Sequence, residues 1–148
     1  MDNEIKKTSR IGVYGVAVQD GCILLITQQH GPFADKFDLP GGGIEFGESV
    51  AEALRREFLE EVSMTFESMQ FLDNLTAVTD VSISKTVSAP MIFYQIGLIY
   101  TVTRLKQIHD HISDESLPYA WIKLSALSQQ QLSPLAWAVV NILGSSRK

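Results

Sequence analysis

The stretch from Leu39 to Met64, LPGGGIEFGESVAEALRREFLEEVSM, constrains the fold most, because its residue pattern changes period within a few positions. Three consecutive glycines stand in a strand-like context up to Phe46. From Ser49 onward, apolar residues recur with helical spacing at positions 50, 51, 54, 58 and 62. Ser49 is a suitable N-cap, and Glu52 completes a capping box three residues later. The sequence therefore predicts a glycine turn followed by an amphipathic helix.

Segments on both sides of this helix are rich in Val, Ile, Thr, Phe and Tyr, a composition that favours strands. Residues 11–29 contain two such segments, joined at Asp20-Gly21 in a pair typical of a tight hairpin. Residues 106–118 are predicted as a polar loop. Further strands are predicted over residues 37–46 (interrupted by the glycines), 71–81, 82–89, 91–105 and 119–124.

A second helix is predicted over residues 133–144, where Ser133 is the N-cap and Pro134 occupies the first turn. No repeat or low-complexity linker divides the 148 residues. One α/β domain with a mixed sheet is therefore the simplest interpretation. The charged residues 1–9 are expected to form a flexible N-terminal lead-in.

Composition limits the partners of the chain. The net charge is −5 and no basic cluster is present, so direct binding to a nucleic-acid backbone is not expected. No segment reaches the roughly 20 apolar residues that cross a bilayer, and the N-terminus lacks the apolar run of a signal peptide. The single cysteine, Cys22, suits a reducing compartment. We therefore expect a cytoplasmic protein without membrane association.

The predicted helix places glutamates close to its apolar side. At about 100° per residue, Glu61 falls at the margin of the apolar face, with Glu57 and Glu60 on one side of it. A solvated acidic face paired with Arg56 is the alternative, but a partly buried carboxylate is costly unless it is paired or bound to metal. Carboxylate oxygens suit Mg²⁺ or Mn²⁺. The residues alone therefore favour a metal site beside the glycines.

The same stretch resembles the signature of the Nudix hydrolases, G-x5-E-x7-R-E-U-x-E-E-x-G-U, in which U is a bulky aliphatic residue. Ser63 stands where the family has glycine, and Phe58 is aromatic at an aliphatic position. The flanking segments FDLPGG and WIKLSAL are also similar to family segments. The signature positions are occupied here by Gly42, Glu48, Arg56, Glu57, Phe58, Glu60, Glu61, Ser63 and Met64.

This resemblance implies the Nudix fold, a mixed β-sheet sandwiched between helices (an α/β/α sandwich). It also implies metal-dependent cleavage of the pyrophosphate bond in a small nucleoside diphosphate derivative, with Mg²⁺ or Mn²⁺ as cofactor. Glu115 is one candidate for the general base, and Glu57 or Glu61 is the alternative. The other implied site residues are the ligands Gly41 (through its carbonyl), Glu57, Glu60 and Glu61, the supporting Glu48, and Arg56, which would orient a glutamate.

Several points stay open. A Nudix-fold module that binds a nucleotide as a sensor, without turnover, is the alternative to an enzyme, although the retained carboxylates favour the enzyme. Nucleoside triphosphates, ADP-ribose, nucleotide sugars and oxidised nucleotides all remain substrates to consider, as does a homodimer. Phe33, Phe37 and Tyr94 are candidates to stack on a base, but each also suits a core position. Glycine at position 63 would end the helix with positive φ, so Ser63 is expected to cost about 1–2 kcal/mol there.

Overall fold

The computed structural model describes residues 5–109 and 113–145. Within this part of the chain, no helix is both long and apolar enough to span a membrane. Two single-turn 3₁₀ helices (Leu124–Ala126 and Gln129–Gln131) precede the last helix. The strands and α-helices are β1 (Lys6–Val16), β2 (Val18–Gln19), β3 (Cys22–Thr27), β4 (Phe37–Asp38), β5 (Gly41–Gly43), α1 (Val50–Val62), β6 (Met64–Val81), β7 (Met91–Gln107), β8 (Tyr119–Lys123) and α2 (Pro134–Ser145).

The strands form two four-stranded sheets. The first has the order β5-β1-β7-β6, with β1 and β7 parallel and the other pairs antiparallel. In the second, β3 lies between β2 and β4 in the strand order and also pairs with β8. The chain crosses between the sheets at Ala17, so the predicted first strand is divided between them. The β2–β3 hairpin turns at Asp20-Gly21 as predicted, with φ of 52° and 78°, the signs that a type I′ turn requires.

The two helices cover opposite faces of the sheets. Successive strand side chains point to opposite faces, so alternate residues of β1 serve two different cores. Val13 belongs to the core under α1, and Tyr14 belongs to the core under α2. Leu54 and Phe58 supply α1's part of the first core, and Leu135 and other α2 residues supply the second. The mixed α/β sandwich that the resemblance implies is confirmed.

Some predicted elements were wrong. Residues 82–89 form an irregular loop between β6 and β7, closed by hydrogen bonds between the backbones of Ser84 and Val87. Their strand propensity is overridden because β6 and β7 pair antiparallel along most of their length and need a connection. β6 also starts earlier than predicted, at Met64, and only one residue separates it from the end of α1.

The N-terminal prediction needs a correction too. Residues 6–9, assigned to a flexible lead-in, are part of β1 and pair in parallel with residues 91–94 of β7. The backbone hydrogen-bonding groups of β7 are satisfied by this pairing, which explains why a charged segment is drawn into the sheet. Residues 1–4 lie outside the described part of the chain.

Candidate active site

The glycine segment is a strand and not the predicted turn. Gly41, Gly42 and Gly43 form β5, which pairs with β1 at the edge of the first sheet. Gly41 has a φ of 147°, and a Cβ atom there would collide with the carbonyl oxygen of Val13. A Cβ atom on Gly42 would lie 2.7 Å from Oε1 of Glu57. An edge strand without side chains therefore leaves the space that the glutamates of α1 occupy.

Helix α1 spans the predicted residues, and the capping box between Ser49 and Glu52 is present. Its buried face differs from the predicted one: Ala51, which was predicted to be buried, is exposed, and Ala53 is buried instead. Glu61 consequently lies within the buried face and not at its margin. The displacement follows from the contact of α1 with the glycines of β5, which offer no side chains to hold the helix away.

Glu61 is fixed at the glycine strand. Its side chain accepts a hydrogen bond at Oε1 from the backbone N–H of Gly41, with 2.8 Å between the atoms, and the residue is only 9% exposed. Burial and then the neighbouring carboxylate of Glu57 raise the pKa of Glu61 well above its ordinary value, against the opposing effect of the Gly41 hydrogen bond. Burial is also the main cause that raises the pKa of Glu57. The carboxylates of Glu57 and Glu61, both predicted as metal ligands, thus lie near each other in a poorly solvated space.

Arg56 connects the motif residues. Its Nε and Nη2 atoms donate to both oxygens of Glu48, at 2.7 and 2.9 Å, and Nη2 also donates to the Gly43 carbonyl at 3.0 Å. Nη1 donates to Oε1 of Glu57 at 3.1 Å and to Oε2 of Glu60 at 3.2 Å. The hydrogen bond to Glu48 raises the pKa of the Arg56 guanidinium. Arg56 also lowers the pKa of Glu57 and Glu60, but this effect does not outweigh burial.

Glu115, the predicted loop carboxylate, does approach the helix. Burial, followed by a hydrogen bond and charge repulsion from Glu115, raises the pKa of Glu60 to about 7. The loop is held there because the N–H of Leu117 donates to the carbonyl of Glu61, at 2.9 Å. Residues 110–112 of the same loop lie outside the described residues. Two elements remote in sequence therefore bring their carboxylates together.

The arrangement fits a divalent cation in charge and in donor chemistry. Glu57, Glu60 and Glu61 supply oxygen donors on one helix face, and their pKa values are raised by burial first and then by repulsion from nearby carboxylates, which a cation would relieve. In the described part of the chain, however, no three His, Cys, Asp or Glu side chains are already gathered as ligands of one ion. Glu61 accepts a hydrogen bond from Gly41, and Glu57 and Glu60 accept hydrogen bonds from Arg56, each through one of its two oxygens.

A cavity of about 270 Å³ opens beside these carboxylates. Sequence patterns did not single out Arg10, Asp38 or Gln95, which line it because β1, β4 and β7 converge there. Phe33 also lines it and is buried, whereas Phe37 and Tyr94 are not among the lining residues. The register of the strands determines which side chains reach the cavity, and sequence spacing alone does not reveal that register. The complete lining is Arg10, Tyr14, Gln28, His30, Gly31, Pro32, Phe33, Asp38, Gly41, Gly42, Glu57, Glu61, Phe93 and Gln95.

Two of these residues affect the electrostatics of the site. Asp38 is buried and accepts hydrogen bonds from the Ser133 hydroxyl at 2.6 Å, from Gln28 at 3.1 Å and from the Leu39 N–H at 2.8 Å. Burial raises the pKa of Asp38 despite these donors. Arg10 is exposed at the cavity, and its positive charge is one of the influences that lower the pKa of Glu57 against burial. Arg10 thus brings a positive charge to the cavity that Glu57 and Glu61 also line.

Comparisons with known proteins agree with this geometry. A family model described as the NUDIX domain matches residues 6–141. Nucleoside triphosphatase NudI from Salmonella typhimurium (strain LT2) is 35% identical over 121 residues, which cover 77% of this chain and 82% of that protein. ADP-ribose pyrophosphatase from Methanocaldococcus jannaschii is 44% identical over 54 residues, but these cover only 36% of this chain and 32% of that protein.

Solved structures show the same fold. The MutT NUDIX hydrolase from Burkholderia pseudomallei superposes with a TM-score of 0.67 at 24% identity, covering 90% of this chain and 97% of that one. The family model accounts for most of the chain, and NudI is similar over most of its own length. The chain therefore belongs to the NUDIX family.

Proposed function

We propose that the chain is a Mg²⁺- or Mn²⁺-dependent hydrolase that cleaves the phosphoanhydride bond of a nucleoside diphosphate linked to another group. The observation that carries the proposal is the clustering of Glu57, Glu60 and Glu61 on α1, where Glu57 and Glu61 line a cavity and Arg56 hydrogen-bonds to Glu57 and Glu60. The similarity to a nucleoside triphosphatase and, over a short segment, to an ADP-ribose pyrophosphatase supports this class of substrate.

Glu57, Glu60 and Glu61 would hold the cation, and the Gly41 carbonyl is a further ligand to test. When bound, the cation neutralises charge on the diphosphate and acidifies the attacking water. Arg56 holds the glutamate side chains through Nη1, and Glu48 fixes the guanidinium by its two-point contact.

The reaction exchanges one P–O bond for another. The oxygen of water bonds to one phosphorus, the bridging P–O bond breaks, and the second phosphate leaves with the bond electrons. A carboxylate must accept the proton of the water. Glu115 lies close enough to Glu60 to raise its pKa, which supports Glu115 as the acceptor, with Glu57 or Glu61 as the alternative.

The test is turnover of a substrate panel with Mg²⁺ or Mn²⁺: nucleoside triphosphates, ADP-ribose and a nucleotide sugar. Products are identified by chromatography, and hydrolysis in ¹⁸O-labelled water shows which phosphorus is attacked. Glu57→Gln and Glu61→Gln should each reduce kcat at least about 100-fold, since they remove charge that positions the cation. Glu67→Gln is the matched control, because Glu67 lies exposed on β6, pairs with the exposed Arg104 and does not line the cavity.

The outcomes separate the competing functions. Loss of turnover in both helix variants, with retained folding and an active Glu67→Gln control, supports the proposed hydrolase. Full activity in Glu57→Gln and Glu61→Gln would refute the assignment of the metal site. Nucleotide binding by the unmodified protein without hydrolysis of any panel member would instead favour a sensor.

A further inference from the structure

We propose that Gln95 determines which nucleobase the protein accepts, by hydrogen bonding of its side-chain amide to the edge of the base. This inference rests on the proposed function, because it assigns the base of that substrate to the cavity beside the glutamates. Gln95 is on β7, far from the signature motif in sequence.

The first support is an unmet hydrogen bond. Gln95 is only 7% exposed, and its Oε1 atom is buried without a donor among the residues that the structure describes. A buried amide oxygen without a partner is destabilising, so such groups are uncommon in native proteins. Gln95 also lines the cavity next to Glu57 and Glu61. A ligand that enters the cavity can therefore supply the donor that the fold does not.

The second support is the position of Gln95 relative to charge. Arg10 and Gln95 are direct partners in the parallel pairing of β1 with β7, so their side chains share one face of the sheet. Both line the cavity, as do Glu57 and Glu61 from the other side of the glycine strand. A nucleotide whose anionic phosphates lie near Arg10 and near the cation that the glutamates would hold can thus direct its base toward Gln95.

The cavity wall matches an aromatic ring. Phe33 and Phe93 line it, both are buried, and their rings meet edge to face with 6.0 Å between centroids. Aromatic side chains are common surfaces for nucleobases. The volume of about 270 Å³ is slightly below the range of about 300–1,000 Å³ that encloses a drug-sized ligand. One base and its sugar fit this space better than a complete dinucleotide.

An amide provides the hydrogen-bonding pattern that a base edge requires. It presents an acceptor beside a donor, the arrangement by which Asn and Gln read adenine in nucleic-acid complexes. A site built to hydrogen bond a ligand discriminates strongly against analogues that lack the matching group. A sugar hydroxyl could fill only part of this pattern, which favours the base as the group beside Gln95.

The experiment compares Gln95→Met with the unmodified protein. Methionine keeps a similar length while it removes both hydrogen-bonding groups of the amide. Gln19→Met is the matched control, since Gln19 is exposed on β2 and does not line the cavity. The spread of kcat/KM is the ratio of the highest to the lowest value among ATP, GTP, CTP and UTP. We expect this ratio to shrink by about 10- to 100-fold in Gln95→Met. The control should keep the original spread.

Binding without turnover provides a second readout. In EDTA, NMR titration with AMP, GMP, CMP and UMP should show one preferred base, whose affinity falls about tenfold in Gln95→Met. Selective binding that depends on Gln95, in a protein that hydrolyses no panel member, would refute the proposed hydrolase and support this inference. An unmodified protein that hydrolyses all four triphosphates equally, or an unchanged spread in Gln95→Met, would overturn the role of Gln95.

Discussion

Replacing Gly42 with alanine tests whether the side-chain-free strand positions the candidate ligand Glu57. A Cβ atom at position 42 would lie 2.7 Å from Oε1 and 3.0 Å from Oε2 of Glu57. An ordinary contact starts at 3.4 Å, so the nearer oxygen must retreat by about 0.7 Å. The backbone of Gly42 is not in the left-handed region, so alanine adds bulk without forcing a new backbone conformation.

The expected result is a loss of activity without a comparable loss of stability. A displacement approaching 1 Å at a reacting site can lower the rate by about 100-fold, so kcat/KM should fall by about 10- to 100-fold. The free energy of unfolding should stay within about 1 kcal/mol of the original, because reduced unfolded-state entropy offsets local strain. Steady-state kinetics on the best panel substrate, urea unfolding and Mg²⁺ titration measure the three quantities.

Gly144→Ala is the matched control. Gly144 lies in α2, no atom would contact its added Cβ within 4 Å, and its φ is not in the left-handed region. This variant should keep full activity and gain up to about 1 kcal/mol of stability. Unchanged kcat/KM and metal affinity in Gly42→Ala would refute the claim that the glycine strand exists to make room for Glu57.

Three further predictions concern stability. Arg56→Lys should lower the free energy of unfolding by about 1–2 kcal/mol in urea, because an ammonium cannot reproduce the two-point contact with Glu48; equal stability would contradict this. Ser63 ends α1 with a φ of 53°, a left-handed conformation that is strained for serine. Ser63→Gly should therefore raise the free energy of unfolding by about 1 kcal/mol in thermal unfolding and leave kcat unchanged. A lower Tm would contradict the inference that the backbone at Ser63 is strained. Burial raises the pKa of Asp38 above its ordinary 3.8, so folded Asp38 binds its proton more tightly than unfolded Asp38 does. Protonated Asp38 therefore contributes its full stability below pH 3.8, and this contribution is lost as the pH rises through the folded pKa. Over that pH range, the free energy of unfolding of Asp38→Asn should increase relative to that of the unmodified protein. A difference that does not change with pH in urea unfolding would contradict that sign.

Local sequence predicted α1 closely, because a helix depends on residues three and four positions apart. The N-cap Ser49, the capping box and the last residue Val62 all follow from such spacing. The same spacing placed Glu57, Glu60 and Glu61 on one side of the helix. It predicted the position of the buried face less well, since Ala51 is exposed while Ala53 is covered. That choice depends on which strand lies beneath the helix, and β5 has no side chains.

Secondary-structure propensity gave wrong predictions where strand pairing decided the structure. Residues 82–89 have the composition of a strand but connect the ends of β6 and β7. Gly41 to Gly43 have the composition of a turn but pair with β1 at the sheet edge. A segment's β-propensity reflects how it packs against neighbours, and those neighbours are remote in sequence.

By itself, the sequence determined the helix, its cap and the set of carboxylates, because these depend on chemistry within a few turns of chain. The sequence left the conformation of Ser63 open, and the structure places it in the left-handed region that the family's glycine would adopt at the end of the helix. Only the tertiary structure brought Glu115 to Glu60 and placed Arg10 beside Gln95 at the cavity. Those contacts depend on the register of β1 against β7 and on a loop anchored to α1. Register is selected by the burial of whole strand faces, a property that no short segment contains.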